Sequence, residues 1–160
     1  MVLVISLFFA FMLSFILTYV FSSIAFYRFM KNRNLDNAFL AWIPIVNVYT
    51  IGKVCDDINE SKSKNTHFSV IMLVIECVYI ASFLSSTIIN IELSFAMLIL
   101  ELICYNCIFK EYAPNNSNYF ILTIIFSIIQ IVPFIPSLCL LKASKNQPCT
   151  SSKRIVGDID

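Results

Sequence analysis

The sequence predicts an all-α fold, a polytopic membrane helix bundle of four transmembrane helices plus one short interfacial or re-entrant segment. Three observations predict it. Hydrophobic residues make up 59% of the chain and charged residues only 13%, with a mean hydropathy of +0.82. A soluble domain carries about a quarter charged residues, so lipid must be the solvent for much of this surface. The apolar residues also fall into four long runs, 1–27, 68–90, 93–109 and 119–141, and a helix needs about 20 residues to cross a bilayer core. Finally, polar and basic pieces punctuate those runs. The 160 residues allow one membrane domain, 1–141, followed by a polar tail, 142–160, expected to be disordered.

The first run, 1–27, carries no charge. It lacks a basic leader and a small-residue cleavage site, so it reads as a permanent span rather than a signal peptide. As a helix it would be about 40 Å long, with the excess taken up by tilt. Arg28, Lys31 and Arg33 follow as a basic stop, and Tyr19, Phe26 and Tyr27 suit the headgroup region.

The next apolar piece, 38–51, is too short to span. Pro44 removes a helical donor. Asn47 is costly against lipid, while Trp42 and Tyr49 suit headgroup depth. Two forms fit: an amphipathic surface helix anchored by Trp42 and Tyr49, or a re-entrant loop lining a cavity.

Residues 53–67 read as a polar loop. The runs 68–90 and 93–109 are the second and third spans, turned by Ser85, Ser86, Thr87, Asn90 and Glu92. One helix over both would be about 65 Å, too long for a bilayer, so a hairpin is required. Residues 110–118 form a loop, and 119–141 a fourth span kinked by Pro133 and Pro136.

Orientation is ambiguous in one respect. With four spans, Arg28, Lys31, Arg33, Lys53, Lys62, Lys64 and Lys110 lie inside and the tail's Lys142, Lys145, Lys153 and Arg154 outside. If 38–51 crosses, the tail moves inside and Lys53, Lys62, Lys64 and Lys110 move out. Both arrangements give seven basic residues inside against four outside, so the positive-inside rule does not choose between them. Segment length favours four. Both put the N-terminus outside and the first basic loop in the cytoplasm.

The residues with chemical potential are few. Glu76 and Glu101 lie inside apolar runs. An ionisable group at bilayer depth costs roughly 2.5–3.5 kcal/mol by the lower estimates, so such groups are paired, cavity-facing or functional. Glu76 shares a helical face with Tyr79, Phe83 and Ser86; Glu101 shares one with Ser94, Met97, Cys104 and Tyr105. A hairpin centred near Ile91 leaves the two carboxylates about 7 Å apart in depth. They could form a proton or cation site, or be neutral groups serving helix packing.

Asp56, Asp57, Asn59, Glu60 and His67 gather in the polar stretch. They lack the rest of any metal or phosphatase motif, and a solvated loop with a helix start accounts for them. Cys104 and Cys107 form a C-x-x-C spacing late in an apolar helix, not at the helix N-terminus that a redox motif needs. All six cysteines read as free thiols. No catalytic residue, metal or cofactor is assigned, and a net charge of +1 argues against a nucleic-acid partner.

The stretch 27–54 contains Ala41, Trp42, Pro44, Asn47, Tyr49, Gly52 and Lys53 in the pattern A-W-x-P-x-x-N-x-Y-x-x-G-K after a span and a basic turn. Towards the end come K-E-Y-A-P-N-N-S, then P-F-I-P and a short basic tail. These pieces resemble a family of small multi-pass membrane proteins of Gram-positive bacteria. The likeness covers about half the chain. Here Glu111 and the asparagines dilute a basic charge that is heavier in that family. The resemblance implies a bacterial plasma membrane and carries no activity.

The function expected is that of a non-enzymatic accessory or interaction subunit, with lipid and another membrane protein or itself as partners. A small proton- or ion-coupled transporter or channel subunit using Glu76 and Glu101 is the alternative. An interfacial lipid-modifying enzyme using Asp56, Asp57 and His67 is the third.

Overall fold

The computed structural model describes residues 2–82, 87–129 and 134–149. It is all-helical among those residues: α1 (Val2–Asn32), a 3-10 turn (Ala38–Trp42), α2 (Pro44–Glu60), α3 (Phe68–Ser82), α4 (Thr87–Tyr112), α5 (Ser117–Ile129) and α6 (Phe134–Ala143). Two helices are long and apolar enough to cross a membrane, Val4–Asn32 and Ile91–Tyr112, and α3 is a shorter apolar helix.

The elements share one polar end. α1 stops there because Asn34 takes a left-handed conformation, φ 54°. The Leu35 N–H then reaches the Met30 carbonyl at 2.9 Å and the Asn34 N–H reaches Lys31 at 3.1 Å. This pair of bonds is a Schellman stop, with asparagine in the place glycine usually takes. The chain does not stay at that end. The Tyr19 hydroxyl donates to the Trp42 carbonyl, and Tyr19 lies about 20 Å back along α1 from Asn32. Pro44 then begins α2, where a missing N–H costs nothing. Some 25 Å of helix return the chain to the polar end at Glu60. Segment 38–51 is therefore not one element: it is a 3-10 turn laid beside mid-α1 and the first half of α2.

The polar loop expected from Lys53 begins only after Glu60. Ile51, Val54, Cys55 and Ile58 are buried at helical spacing, so burial of that stripe carries the helix through the charged residues. The turn expected at Ser85–Glu92 also moves. Thr87, Asn90 and Glu92 belong to α4, and Ser85 and Ser86 lie outside the described residues.

The largest departure concerns 119–141. α5 and α6 pack together and run antiparallel, since Lys142 sits over the Tyr119 ring at 5.7 Å and Thr123 adjoins Cys139. At about 20 and 15 Å, neither reaches across a 30 Å core. Pro136 is the third residue of α6, inside the first turn, where its ring is tolerated; Pro133 lies outside the described residues. After α6 the tail remains attached to the polar end. Asn32 Nδ2 donates to the Ser144 carbonyl at 3.2 Å, Asn146 Nδ2 to Tyr112 at 2.8 Å, and the Cys149 N–H to Glu111 at 3.3 Å. The tail beyond Cys149 lies outside the described residues.

Candidate functional site

Two places concentrate polar side chains. The first, at the polar end, is structural in character. Asp56 Oδ1 accepts from the Phe68 N–H at 2.8 Å, and Oδ2 from the Ser69 N–H at 2.9 Å and the Ser69 hydroxyl at 2.7 Å. The Thr66 hydroxyl adds a bond to Oδ1 at 2.7 Å. A side chain from α2 thus caps α3, satisfying N–H groups that have no partner inside the helix. Beside it, α2 and α3 nearly touch. A Cβ at Gly52 would lie 2.4 Å from Ser69 Cα.

Arg33, Asp57, Glu111 and Lys62 form an adjoining charged group. Arg33 Nε pairs with Asp57, Arg33 Nη1 lies 4.0 Å from Glu111, and Lys62 Nζ lies 3.0 Å from Glu111. Burial pushes the Arg33 guanidinium down, but its hydrogen bond and attraction to Asp57 outweigh that, and the net shift is upward. The side chain of Glu111 is 2% exposed and that of Arg33 5%. Sequence reading missed this group, because its members come from three chain positions far apart. A lone carboxylate, Glu111, at the end of an apolar run was the available signal.

Asp57 and Glu60 line a cleft of about 440 Å³ with Lys53 and His67, but no three metal-ligating side chains converge among the described residues. Cys55 lies in a thiol group with Cys104 and Cys107. Hydrogen bonding to Cys104, together with burial, pushes the Cys55 thiol well up, leaving it protonated.

The second place is at mid-helix depth. Cys104 Sγ meets Met72 Sδ at 3.8 Å, which sets the register of antiparallel α3 and α4. One turn further along both helices, Glu76 comes opposite Leu100 and Glu101. The expected 7 Å stagger therefore disappears, because Asn90 and Glu92 are helical rather than the centre of the turn. Glu76 and Glu101 line one cleft of about 590 Å³ with Tyr79, Ser94 and Phe95. Neither carboxylate has a hydrogen bond or ion pair among the described residues. Phe83 and Ser86, which sequence reading placed on the face of Glu76, lie outside those residues.

Glu76 also borders a second cleft of about 330 Å³, with Phe15, Thr18, Tyr19, Pro44 and Ile45. The four residues singled out in 38–51 therefore separate. Pro44 reaches this cleft and Trp42 fixes the turn to Tyr19. Asn47 is buried with its Oδ1 lacking a protein partner. Tyr49 lines the polar-end cleft, where Lys53 Nζ stands 5.8 Å from its ring.

No protein-family model, curated protein or solved structure matches the chain.

Proposed function

We propose that this chain is a multi-pass protein of the bacterial plasma membrane that works as a non-enzymatic interaction subunit. One observation carries the reading: the far half of α1 is bare. Val4, Phe8, Phe9, Phe11, Phe15 and Ile16 are all exposed, and α1 packs on α2, α6 and the 3-10 turn, meeting α4 at the polar end, where the Phe29 ring lies against that of Tyr112. Lipid can cover such a surface, and so can another membrane protein. Glu76, which borders the cleft beside α1, favours a protein, because lipid tails offer a carboxylate nothing.

In this reading α1 and α4 cross the membrane, and the shorter apolar α3 runs back from the polar end beside α4. The segment from Arg33 to Glu60 and the α5–α6 pair enter and leave by one face. The likeness of segment 27–54 to small Gram-positive membrane proteins supports the bacterial setting. Native mass measurement of the tagged protein in mild detergent, expressed at its natural level, tests the proposal. A stoichiometric complex with another membrane protein is expected; a homogeneous species containing only this chain overturns it.

The shared cleft of Glu76 and Glu101 favours a second reading, proton- or ion-coupled transport. Proton flux in liposomes, lost in Glu76→Gln or Glu101→Gln with normal folding, would establish it. The lipid-modifying reading draws no support from Asp56 and Asp57. Their oxygens are committed to capping α3 and pairing with Arg33.

A further inference from the structure

We infer that the groove between α1 and the α3–α4 pair takes a partner's transmembrane helix carrying one basic residue, seated against Glu76 and Glu101. This rests on the interaction-subunit reading above and specifies the chemistry of the partner.

The groove has two walls and a floor. Phe15, Thr18 and Tyr19 of α1 form one wall where the small cleft lies. Phe8, Phe11 and Met12 continue the same helical stripe towards the far end, and they are 59%, 60% and 40% exposed. Glu76 forms the opposite wall, and Pro44 and Ile45 form the floor. Glu76 also lines the larger cleft with Glu101, so it stands between the two clefts and borders both. The bare stripe from Phe8 to Tyr19 is about 16 Å long. That is the reach of several helical turns, more than a small ligand covers.

Charge selects the occupant. Two carboxylates without protein partners at mid-helix depth are stabilised by a cation that replaces the missing hydration. A second copy of this chain does not offer one. Its described Lys and Arg residues sit at the polar end, on the last turns of α1, α4 and α6 and around the α2–α3 connection. A free phospholipid headgroup is held at the surface and its tails are apolar. A Lys or Arg within a partner's apolar helix meets both requirements. Its stem packs on the aromatic stripe and its charge reaches the carboxylates, in the way polar residues join helices within bilayers.

The probe is a dye-labelled polyleucine transmembrane peptide with a single central Lys, compared with the all-Leu peptide in phosphatidylcholine vesicles. Energy transfer to an acceptor placed on Cys149 with a water-soluble maleimide reports association. The Lys peptide is expected to associate at least tenfold more tightly than the Leu peptide, and the double change Glu76→Gln with Glu101→Gln is expected to remove that preference. Equal association of the two peptides with the unaltered protein overturns the inference and needs no variant to fold. So does a preference that survives the double change. Carboxylate-dependent binding of tetraphenylphosphonium without any peptide preference also overturns it, in favour of a small organic cation. Loss of the Lys preference while a native complex persists sinks only the pairing. A chain found alone in mild detergent sinks the broader reading.

Discussion

Arg33 decides how the polar end is held. It pairs with Asp57 and also approaches Glu111, and its side chain is 5% exposed, whereas that of Lys62, the closer partner of Glu111, is 42% exposed. Removing one partner of a buried ion group costs about 3–5 kcal/mol because the charges left behind are desolvated. An exposed partner is worth about 0–1 kcal/mol. Arg33→Met is therefore expected to lower stability by about 3 kcal/mol, and Lys62→Met by no more than about 1 kcal/mol. Thermal unfolding of both variants in the same detergent checks the ranking, and equal losses would contradict it. Arg33→Lys should fall between them, since an ammonium lacks the guanidinium's forked donors. Sequence alone shows Arg33 as one of three basic residues in a stop signal. Its separate role depends on Asp57 and Glu111 arriving beside it, and no local pattern encodes that.

Helix lengths and apolar runs were legible in part. The run 1–27 became α1, and the runs at 68–90 and 93–109 became α3 and α4 with altered ends. From sequence the stretch from Lys53 to Glu60 reads as a loop because its charges mask the stripe of Ile51, Val54, Cys55 and Ile58. Helical periodicity persists there, since one face packs while the other carries Lys53, Asp56, Asp57 and Glu60. The run 119–141 has the length of a span. Hydropathy does not distinguish one crossing from two short helices that both pack on neighbours, and the prolines were the only hint. Glu76 and Glu101 stand out as carboxylates inside apolar runs, but their shared cleft depends on a register that the Met72–Cys104 contact reveals.

Gly52 links these elements most tightly. Its added methyl would meet backbone on α3, which cannot rotate away as a side chain could. Gly52→Ala should gain up to about 1 kcal/mol in helix propensity but lose about 1–3 kcal/mol or more in overpacking. Net destabilisation is expected, together with faster proteolysis between Glu60 and Phe68. An unchanged melting temperature would mean that α2 and α3 do not approach as described.

Taken together, the contacts bring one polar end to every element: the end of α1, the α2–α3 connection, the end of α4, the start of α5 and the end of α6. Counting charges along the sequence leaves the side of the tail undecided, because the count is the same whether or not 38–51 crosses. With α5 and α6 antiparallel, Lys142 and Lys145 join Arg28, Lys31, Arg33, Lys62, Lys64 and Lys110 at the same end. The positive-inside rule then points one way. The expected arrangement has that end in the cytoplasm, the α1 N-terminus outside, and Cys149 inside. Cys149 is exposed, and a membrane-impermeant maleimide should label it in inverted vesicles but not in intact cells. The buried Cys55, with its raised thiol, should stay unlabelled in both at neutral pH. An N-terminal tag should be cleaved by protease added outside intact cells. Labelling of Cys149 from outside would mean that α5 and α6 together cross the bilayer. In that case the basic end would be split between two compartments, and the bonds from Asn32 to Ser144 and from Asn146 to Tyr112 could not form in the membrane.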